Sequence, residues 1–84
     1  MVTGGAGALG QAVVEWFTQR GARVAVLDYS DDLLSGAFPS PSLQHAYIAC
    51  DLTDRDSTAV AISRVVREFG GIDVLANIAG GFMM

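Results

Sequence analysis

The sequence has no lysine, one cysteine and one histidine among its 84 residues. A single cysteine excludes an intramolecular disulfide and a cysteine-based zinc site. We therefore expect Cys50 to be a buried and unreactive thiol. The lone His45 opens a predicted strand and has no partner nearby in the sequence. We expect it to be structural or solvated rather than a ligand or a base.

Positive charge is also scarce, because the sequence has five arginines and nine acidic residues and a net charge of −4. The arginines are scattered, so no basic stripe supports binding to nucleic-acid phosphates. No apolar run approaches the roughly 20 residues that cross a bilayer. Residues 1–10 also lack the charged and then apolar pattern of a signal peptide. We expect no nucleic-acid or membrane partner and a cytoplasmic location.

The chain is nevertheless apolar for its size, with 51% hydrophobic residues and a mean hydropathy of +0.40. A chain this short holds at most one domain and buries a limited share of its surface. Only two residues precede Thr3, whereas buried strands usually have about five or six. The sequence predicts one incomplete domain over residues 1–84 with a truncated first strand. Either the chain is a fragment, or the start codon lies inside the strand.

The first ten residues, MVTGGAGALG, read as the end of a strand, a glycine-rich turn and the start of a helix. Because most residues of this turn are glycine or alanine, its backbone can approach a ligand closely. The N-terminus of the helix that follows favours binding of a phosphate. Gly5-x-Gly7-x-x-Gly10 satisfies the dinucleotide fingerprint, which is a weak match by itself. A mononucleotide loop would need Lys after its last glycine, but Gln11 follows Gly10. A purely structural glycine turn is the alternative.

Short apolar runs alternate with helical patterns along the rest of the chain. Periodicity predicts strands at residues 23–28, 45–50 and 72–77, long helices at residues 8–19 and 54–69, and a short irregular helix from residue 31. We expect Thr53 to cap the last helix with Asp56. The stripes expected to face the core contain Ala8, Leu9, Ala12, Val13, Trp16 and Phe17 in the first helix, and Ala59, Ile62, Val65, Val66 and Phe69 in the last.

This alternation predicts an α/β fold, namely the N-terminal half of a Rossmann-like, doubly wound parallel sheet. Right-handed crossovers give the strand order 3-2-1-4. Ligands of such sheets bind at the carboxyl ends of the strands, near the switch point between strands 1 and 4. The glycine turn, Asp28, Asp51 and residues 77–80 all follow strands at that edge.

Two acidic residues at this edge are candidate ligand groups. Asp28 lies 18 residues after Gly10, near the spacing of an acid that accepts hydrogen bonds from a ribose diol and repels a 2′-phosphate. A solvated loop carboxylate is the alternative for Asp28. Asp51 has two possible roles between which periodicity does not decide: it is a turn residue, or it accepts a hydrogen bond from an adenine amino group.

Four stretches together resemble the N-terminal half of a short-chain dehydrogenase/reductase: residues 3–10, Asp28, residues 51–53 and residues 77–80. Residues 3–10 fit the pattern of the extended subclass, most members of which act on nucleotide sugars, whereas Ala8 stands where the compact subclass usually has a glycine. Residues 69–80 resemble the approach of the compact subclass to its Asn-Asn-Ala-Gly motif, with Ile78 in place of the second Asn. We favour the compact, NAD-dependent subclass. The alternatives are a fragment of an extended-type epimerase or dehydratase and a non-catalytic dinucleotide-binding module.

The resemblance implies NAD as cofactor and hydride transfer between NAD and an alcohol or carbonyl substrate in a complete enzyme. It implies a small-molecule substrate and a homo-oligomeric parent. The positions that would contact the cofactor are Gly4, Ala8, Leu9 and Gly10 in the pyrophosphate turn, Asp28 at the ribose, Asp51 and Leu52 beside the adenine, and Asn77, Ala79 and Gly80 near the sheet centre.

The catalytic groups of the family have no counterpart in these 84 residues. The family uses Ser, Tyr, Lys and Asn, and neither Tyr29 nor Tyr47 has a lysine at the required spacing. A tyrosine needs a nearby cation to lower its pKa from about 10 for acid–base catalysis near neutral pH. We therefore expect that the chain does not catalyse hydride transfer by itself.

Overall fold

The computed structural model describes residues 1–40 and 42–78. Two of the predicted cofactor positions, Ala79 and Gly80, lie outside the described residues. The elements in chain order are β1 (Val2–Thr3), α1 (Ala8–Gln19), β2 (Val24–Asp28), α2 (Asp31–Ala37), β3 (His45–Ala49), α3 (Arg55–Phe69) and β4 (Ala76–Asn77). None of the helices in these ranges is long and apolar enough to cross a membrane.

The four strands form one parallel sheet in the order β3-β2-β1-β4, which confirms the predicted fold class and strand order. Val2 pairs with Val26 of β2 on one side and with Ala76 of β4 on the other. β4 is shorter than the predicted strand at residues 72–77. The cause is that β1 offers β4 only two residues with which to pair.

β2 forms the centre of the core, because Val24, Ala25, Val26 and Leu27 are all buried. On one face, Ala25 and Leu27 pack with residues of β3 and α3, including Ile48, Ala61 and Val65. On the other face, Val24 and Val26 pack with Val14 of α1 and Leu34 of α2. A run of apolar residues without alternation is expected of a strand that is covered on both faces.

The predicted inward faces of the two long helices were partly wrong. In α1 the buried residues are Gly10 and Val14, whereas the Trp16 side chain is 51% exposed. Close contact of Gly10 with the glycine turn sets the rotation of α1 and turns Trp16 outward. In α3 the buried residues are Ala61 and Val65.

The predicted cap of α3 was wrong by one residue. Asp54 is the N-cap, and its carboxylate Oδ1 accepts the N–H groups of Asp56 at 2.9 Å and Ser57 at 3.2 Å. The Thr53 hydroxyl instead donates to Asp51. The helix end follows the prediction, because Gly70 caps α3 in the left-handed conformation with φ of +82°.

Candidate functional site

The carboxyl ends of the strands carry the predicted site residues. The glycine turn follows β1, Asp28 ends β2, Asp51 and Leu52 follow β3, and Asn77 ends β4. Because the strands are parallel neighbours, these positions lie along one edge of the sheet. This is the edge at which open α/β sheets bind their ligands.

The turn between β1 and α1 is closely packed. Gly4 has φ of +67°, a conformation that favours glycine, and its carbonyl oxygen accepts the Gly7 N–H at 3.2 Å. A Cβ atom on Gly10 would collide with the Gly4 carbonyl oxygen and would lie 2.7 Å from the Gly5 Cα. The start of α1 can therefore approach the end of β1 this closely only with glycine at position 10.

The N-terminus of α1 is suited to an anion. Its N-cap residue is Gly7, which supplies no side-chain cap, and the first turn holds no acidic residue. The first N–H groups of a helix, here at Ala8, Leu9 and Gly10, have no acceptor within the helix. The positive end of the helix dipole adds to their attraction for a negative group. The turn thus places several backbone donors beside residues that are mostly glycine and alanine.

The Asp28 carboxylate is held at the edge of this turn. Its Oδ2 accepts the Ala6 N–H at 2.8 Å, and its Oδ1 accepts the Tyr29 N–H at 2.7 Å. Each carboxylate oxygen has a second lone pair that can accept a further hydrogen bond. Sequence reasoning identified Asp28 as a ligand group but missed its contact with Ala6. A backbone N–H carries no signature in the sequence that would have revealed this contact.

Asn77 is positioned by Thr3 on the neighbouring strand. The Thr3 hydroxyl donates to the Asn77 Oδ1 at 2.8 Å, and Thr3 itself is only 3% exposed. The two residues are partners in the parallel register of β1 and β4. This contact fixes the Asn77 amide beside the carboxyl end of β1. Sequence reasoning placed Asn77 there without identifying Thr3 as its partner.

Asp51 forms a local turn. Its Oδ1 accepts the Thr53 hydroxyl at 2.6 Å and the Thr53 backbone N–H at 2.9 Å. These two bonds stabilise the charged carboxylate and lower its pKa from the ordinary value of 3.8, the hydroxyl bond being the larger cause. The sequence left two roles open for Asp51, a turn residue or an acceptor for an adenine amino group. The described contacts are those of a turn residue.

Thr53→Val should raise the Asp51 pKa back towards 3.8, because valine keeps the side-chain shape and the backbone N–H but removes the hydroxyl donor. The Asp51 contribution to stability is present above the unfolded-state pKa. It is lost as the pH falls through the lower folded-state pKa. Carboxyl-carbon NMR titration measures the shift. Thr58→Val is the matched control, since the Thr58 hydroxyl donates to the Asp54 carbonyl instead. An unchanged Asp51 pKa in Thr53→Val would contradict this cause.

His45 has a structural environment, as the sequence predicts. Its Nε2 lies 2.8 Å from the Thr18 hydroxyl, and its Nδ1 lies 2.7 Å from the Tyr47 hydroxyl. The Thr18 hydroxyl donates its proton to the Val14 carbonyl, so it can only accept from His45 Nε2. Burial lowers the His45 pKa from its ordinary value. These contacts tie β3 to α1 at the amino ends of the strands, away from the glycine turn.

The described residues also enclose a cavity of about 350 Å³. It lies at the amino ends of the strands, where Phe17, Arg23, Phe69 and Val74 line it. None of the predicted site residues is among its lining residues.

Comparison with known proteins gives a family match over the whole chain. Residues 1–84 match the family model described as short chain dehydrogenase. The chain is 32% identical over 81 residues to secoisolariciresinol dehydrogenase of Forsythia intermedia, covering 95% of this chain and 29% of that protein. It is 36% identical over 84 residues to momilactone A synthase of Oryza sativa subsp. japonica, covering 95% of this chain and 30% of that protein. The chain therefore spans about a third of the length of these curated relatives.

Solved structures share the fold. A 3-ketoacyl-(acyl-carrier-protein) reductase from Brucella melitensis, complexed with NADH, superposes with a TM-score of 0.81 at 20% identity, over 88% of this chain and 30% of that chain. A short-chain dehydrogenase/reductase from the same organism superposes with a TM-score of 0.79 at 29% identity, over 88% of this chain and 32% of that chain.

Proposed function

The chain belongs to the short-chain dehydrogenase family, and we propose that its residues form the adenosine half of a nicotinamide dinucleotide site in an oxidoreductase. The observation that carries this proposal is the fit of Gly10 against the glycine turn. The same turn has an uncapped helix N-terminus beside it and a carboxylate fixed to its Ala6 N–H. A pyrophosphate and a neighbouring ribose diol require donors and an acceptor in this arrangement.

Each group has a proposed role. The backbone N–H groups of Ala8, Leu9 and Gly10 hold the pyrophosphate, and Gly4 provides the left-handed turn that brings them there. The Asp28 carboxylate accepts from the ribose hydroxyls. Asp51 and the partly exposed Leu52 border the adenine. Asn77 at the end of β4 would line the ribose, and Ala79 and Gly80, which lie outside the described residues, keep the same proposed role.

We further propose that the site prefers NAD to NADP. The Asp28 carboxylate would repel a 2′-phosphate at the ribose that it binds. A 2′-phosphate usually requires a nearby cation, and residues 1–19 contain no arginine or lysine. The preference therefore depends mainly on one carboxylate, which makes it open to a single-residue test.

The complete protein would transfer a hydride between the cofactor and an alcohol or carbonyl substrate. The bound dinucleotide supplies the hydride donor or acceptor, and the residues of this chain bind and orient its adenosine end. The relatives named as dehydrogenases support this class of reaction. Because the sequence has no lysine, a tyrosine–lysine pair for proton transfer is not available within it. We therefore assign these residues to cofactor binding.

Amide chemical-shift mapping with NAD tests the proposed site on the 84-residue chain. We expect the largest shifts at the amides of residues 4–10 and of Tyr29, whose N–H bonds the Asp28 carboxylate. Nicotinamide mononucleotide, which lacks the adenosine half, should produce much smaller shifts at these amides. Shifts concentrated around the cavity at the amino ends of the strands would contradict the proposed site.

A further inference from the structure

We propose that the free edge of β3 and the adjoining face of α3 form a two-fold interface with a second copy of this chain. This surface is separate from the glycine turn and does not depend on cofactor binding. Three observations carry it: a strand edge that no other described strand pairs with, a partly apolar groove beside that edge, and opposite charges on the α3 side of that groove.

Within the described residues, the outer edge of β3 has backbone groups that bond no other strand. Val24 N–H donates to the Gln44 carbonyl, and Cys50 N–H donates to the Asp28 carbonyl. Because backbone groups alternate in direction along a strand, Tyr47 and Ala49 direct theirs away from β2. Within residues 1–40 and 42–78, β3 pairs with β2 alone.

The sequence of β3 has nothing that would prevent edge pairing. Natural edge strands commonly carry a charged residue, a proline or a bulge that blocks association with another strand. The five residues of β3, HAYIA, include no proline, lysine, arginine or acid. At the other edge of the described sheet, β4 has only two residues. β3 is therefore the better template for pairing with another chain.

A groove runs between this edge and α3. It has a volume of about 360 Å³, and Ile48, Ala49, Asp56, Val60 and Arg64 are among the residues that line it. Val60 is 69% exposed, which is high for an apolar side chain beside an open strand edge.

The geometry of the sheet would bring two α3 helices into contact. α3 covers β2 and β3, because Ala61 and Val65 belong to the same buried cluster as residues of both strands. For an α3 axis midway between β2 and β3, pairing of two β3 edges at a strand spacing of about 4.8 Å would place the two α3 axes about 10 Å apart. Helices in contact pack at about 8–10 Å. Strand pairing and helix packing are thus compatible in the same dimer.

The charges on α3 are self-complementary. Asp56, Val60 and Arg64 are spaced by four residues and share one face of the helix. In an antiparallel two-fold arrangement centred on Val60, Asp56 of one copy would face Arg64 of the second copy, and the reverse pair would form by symmetry. Arg64 Nε already donates to Glu68 at 2.9 Å, which leaves its terminal nitrogens free to reach a carboxylate. This complementarity argues for a second copy as the occupant.

Sedimentation velocity of the 84-residue chain without cofactor, over a range of concentrations, tests the proposal. We expect the unaltered chain to form a dimer. Asp56→Arg and Arg64→Glu should each weaken self-association by about tenfold or more, because each change places like charges opposite each other twice. A mixture of these two variants should form a heterodimer, since the combination restores both opposite-charge pairs.

Arg55→Glu is the matched control, because it reverses a charge in the first turn of α3 outside the groove. Circular dichroism of each variant confirms that α3 is retained. A chain that stays monomeric at all concentrations would overturn the proposal. So would a dimer that Asp56→Arg and Arg64→Glu leave unchanged, since that dimer would use another surface such as the β4 edge.

Discussion

Gly10→Ala should lower the free energy of unfolding of the chain by about 2–3 kcal/mol and abolish measurable binding of NAD. The added Cβ would collide with the Gly4 carbonyl oxygen and with the Gly5 Cα, both of which are backbone atoms. Backbone cannot rotate away as a flexible side chain can, so α1 must shift from β1. Overpacking of this kind typically costs about 1–3 kcal/mol. The same shift moves the N–H groups proposed to hold the pyrophosphate.

Gly36→Ala is the matched control for this substitution. Gly36 lies within α2, its Cβ would meet no atom within 4 Å, and its φ is not positive. Alanine is favoured over glycine in a helix by about 0.8–1.0 kcal/mol, so this variant should be slightly more stable and bind NAD normally. Urea unfolding followed by circular dichroism, with calorimetric titration of NAD, measures both effects. Equal stability of the two variants would contradict the close packing of the turn.

Asp28→Asn should change the ratio of NAD to NADP affinity by about tenfold in favour of NADP. Asparagine keeps one acceptor oxygen for the Ala6 N–H and removes the negative charge, while its amide nitrogen takes the place of the oxygen that accepts the Tyr29 N–H. Two unit charges about 4 Å apart in water interact by about 1 kcal/mol, and a 2′-phosphate carries more than one charge. Removing the repulsion therefore raises affinity for NADP, while loss of the charged acceptor weakens the hydrogen bonds to the ribose of NAD.

Asp73→Asn controls for the change in net charge. Asp73 lines the cavity at the amino ends of the strands, at the opposite end of the sheet from Asp28. This variant should leave the affinity ratio unchanged. Competition between the two cofactors for the same chain gives the ratio directly. If Asp28→Asn and Asp73→Asn had the same ratio, Asp28 would not select the cofactor.

The fold could be predicted from local patterns because few arrangements satisfy them. Short apolar strands alternating with helices require parallel pairing, and right-handed crossovers then restrict the order of the strands. The same topology brings Asp28 and Asn77 to one edge of the sheet, whatever the positions of their side chains. The order of strands and helices along the chain determines which residues follow each strand, and the sequence pattern shows that order.

The details that could not be predicted depend on contacts between distant residues. The rotation of α1 is set by the contact of Gly10 with Gly4 and Gly5, so periodicity alone placed Trp16 on the wrong face. The choice of Asp54 over Thr53 as the α3 cap depends on which side chain reaches the first N–H groups. Both residues are good caps by type, and their order along the chain does not decide between them.

The hydrogen bonds within the site could not be predicted either, because they also join residues that are distant in the sequence. Asp28 bonds a backbone N–H 22 residues away, and Thr3 bonds Asn77 across 74 residues of sequence. The types of these residues made them candidates, but only the register of β1 with its two neighbours shows which atoms meet. Topology therefore predicts where a site lies, and side-chain packing decides how it is held.

Calorimetric titration of NAD into the 84-residue chain, with circular dichroism on the same sample, is the most direct test of the proposed cofactor site. We expect a folded α/β spectrum and a saturable heat of binding that Gly10→Ala removes. A folded spectrum without binding heat would contradict the assignment of the glycine turn and Asp28 to a dinucleotide. A spectrum of an unfolded chain would contradict the fold on which that assignment rests.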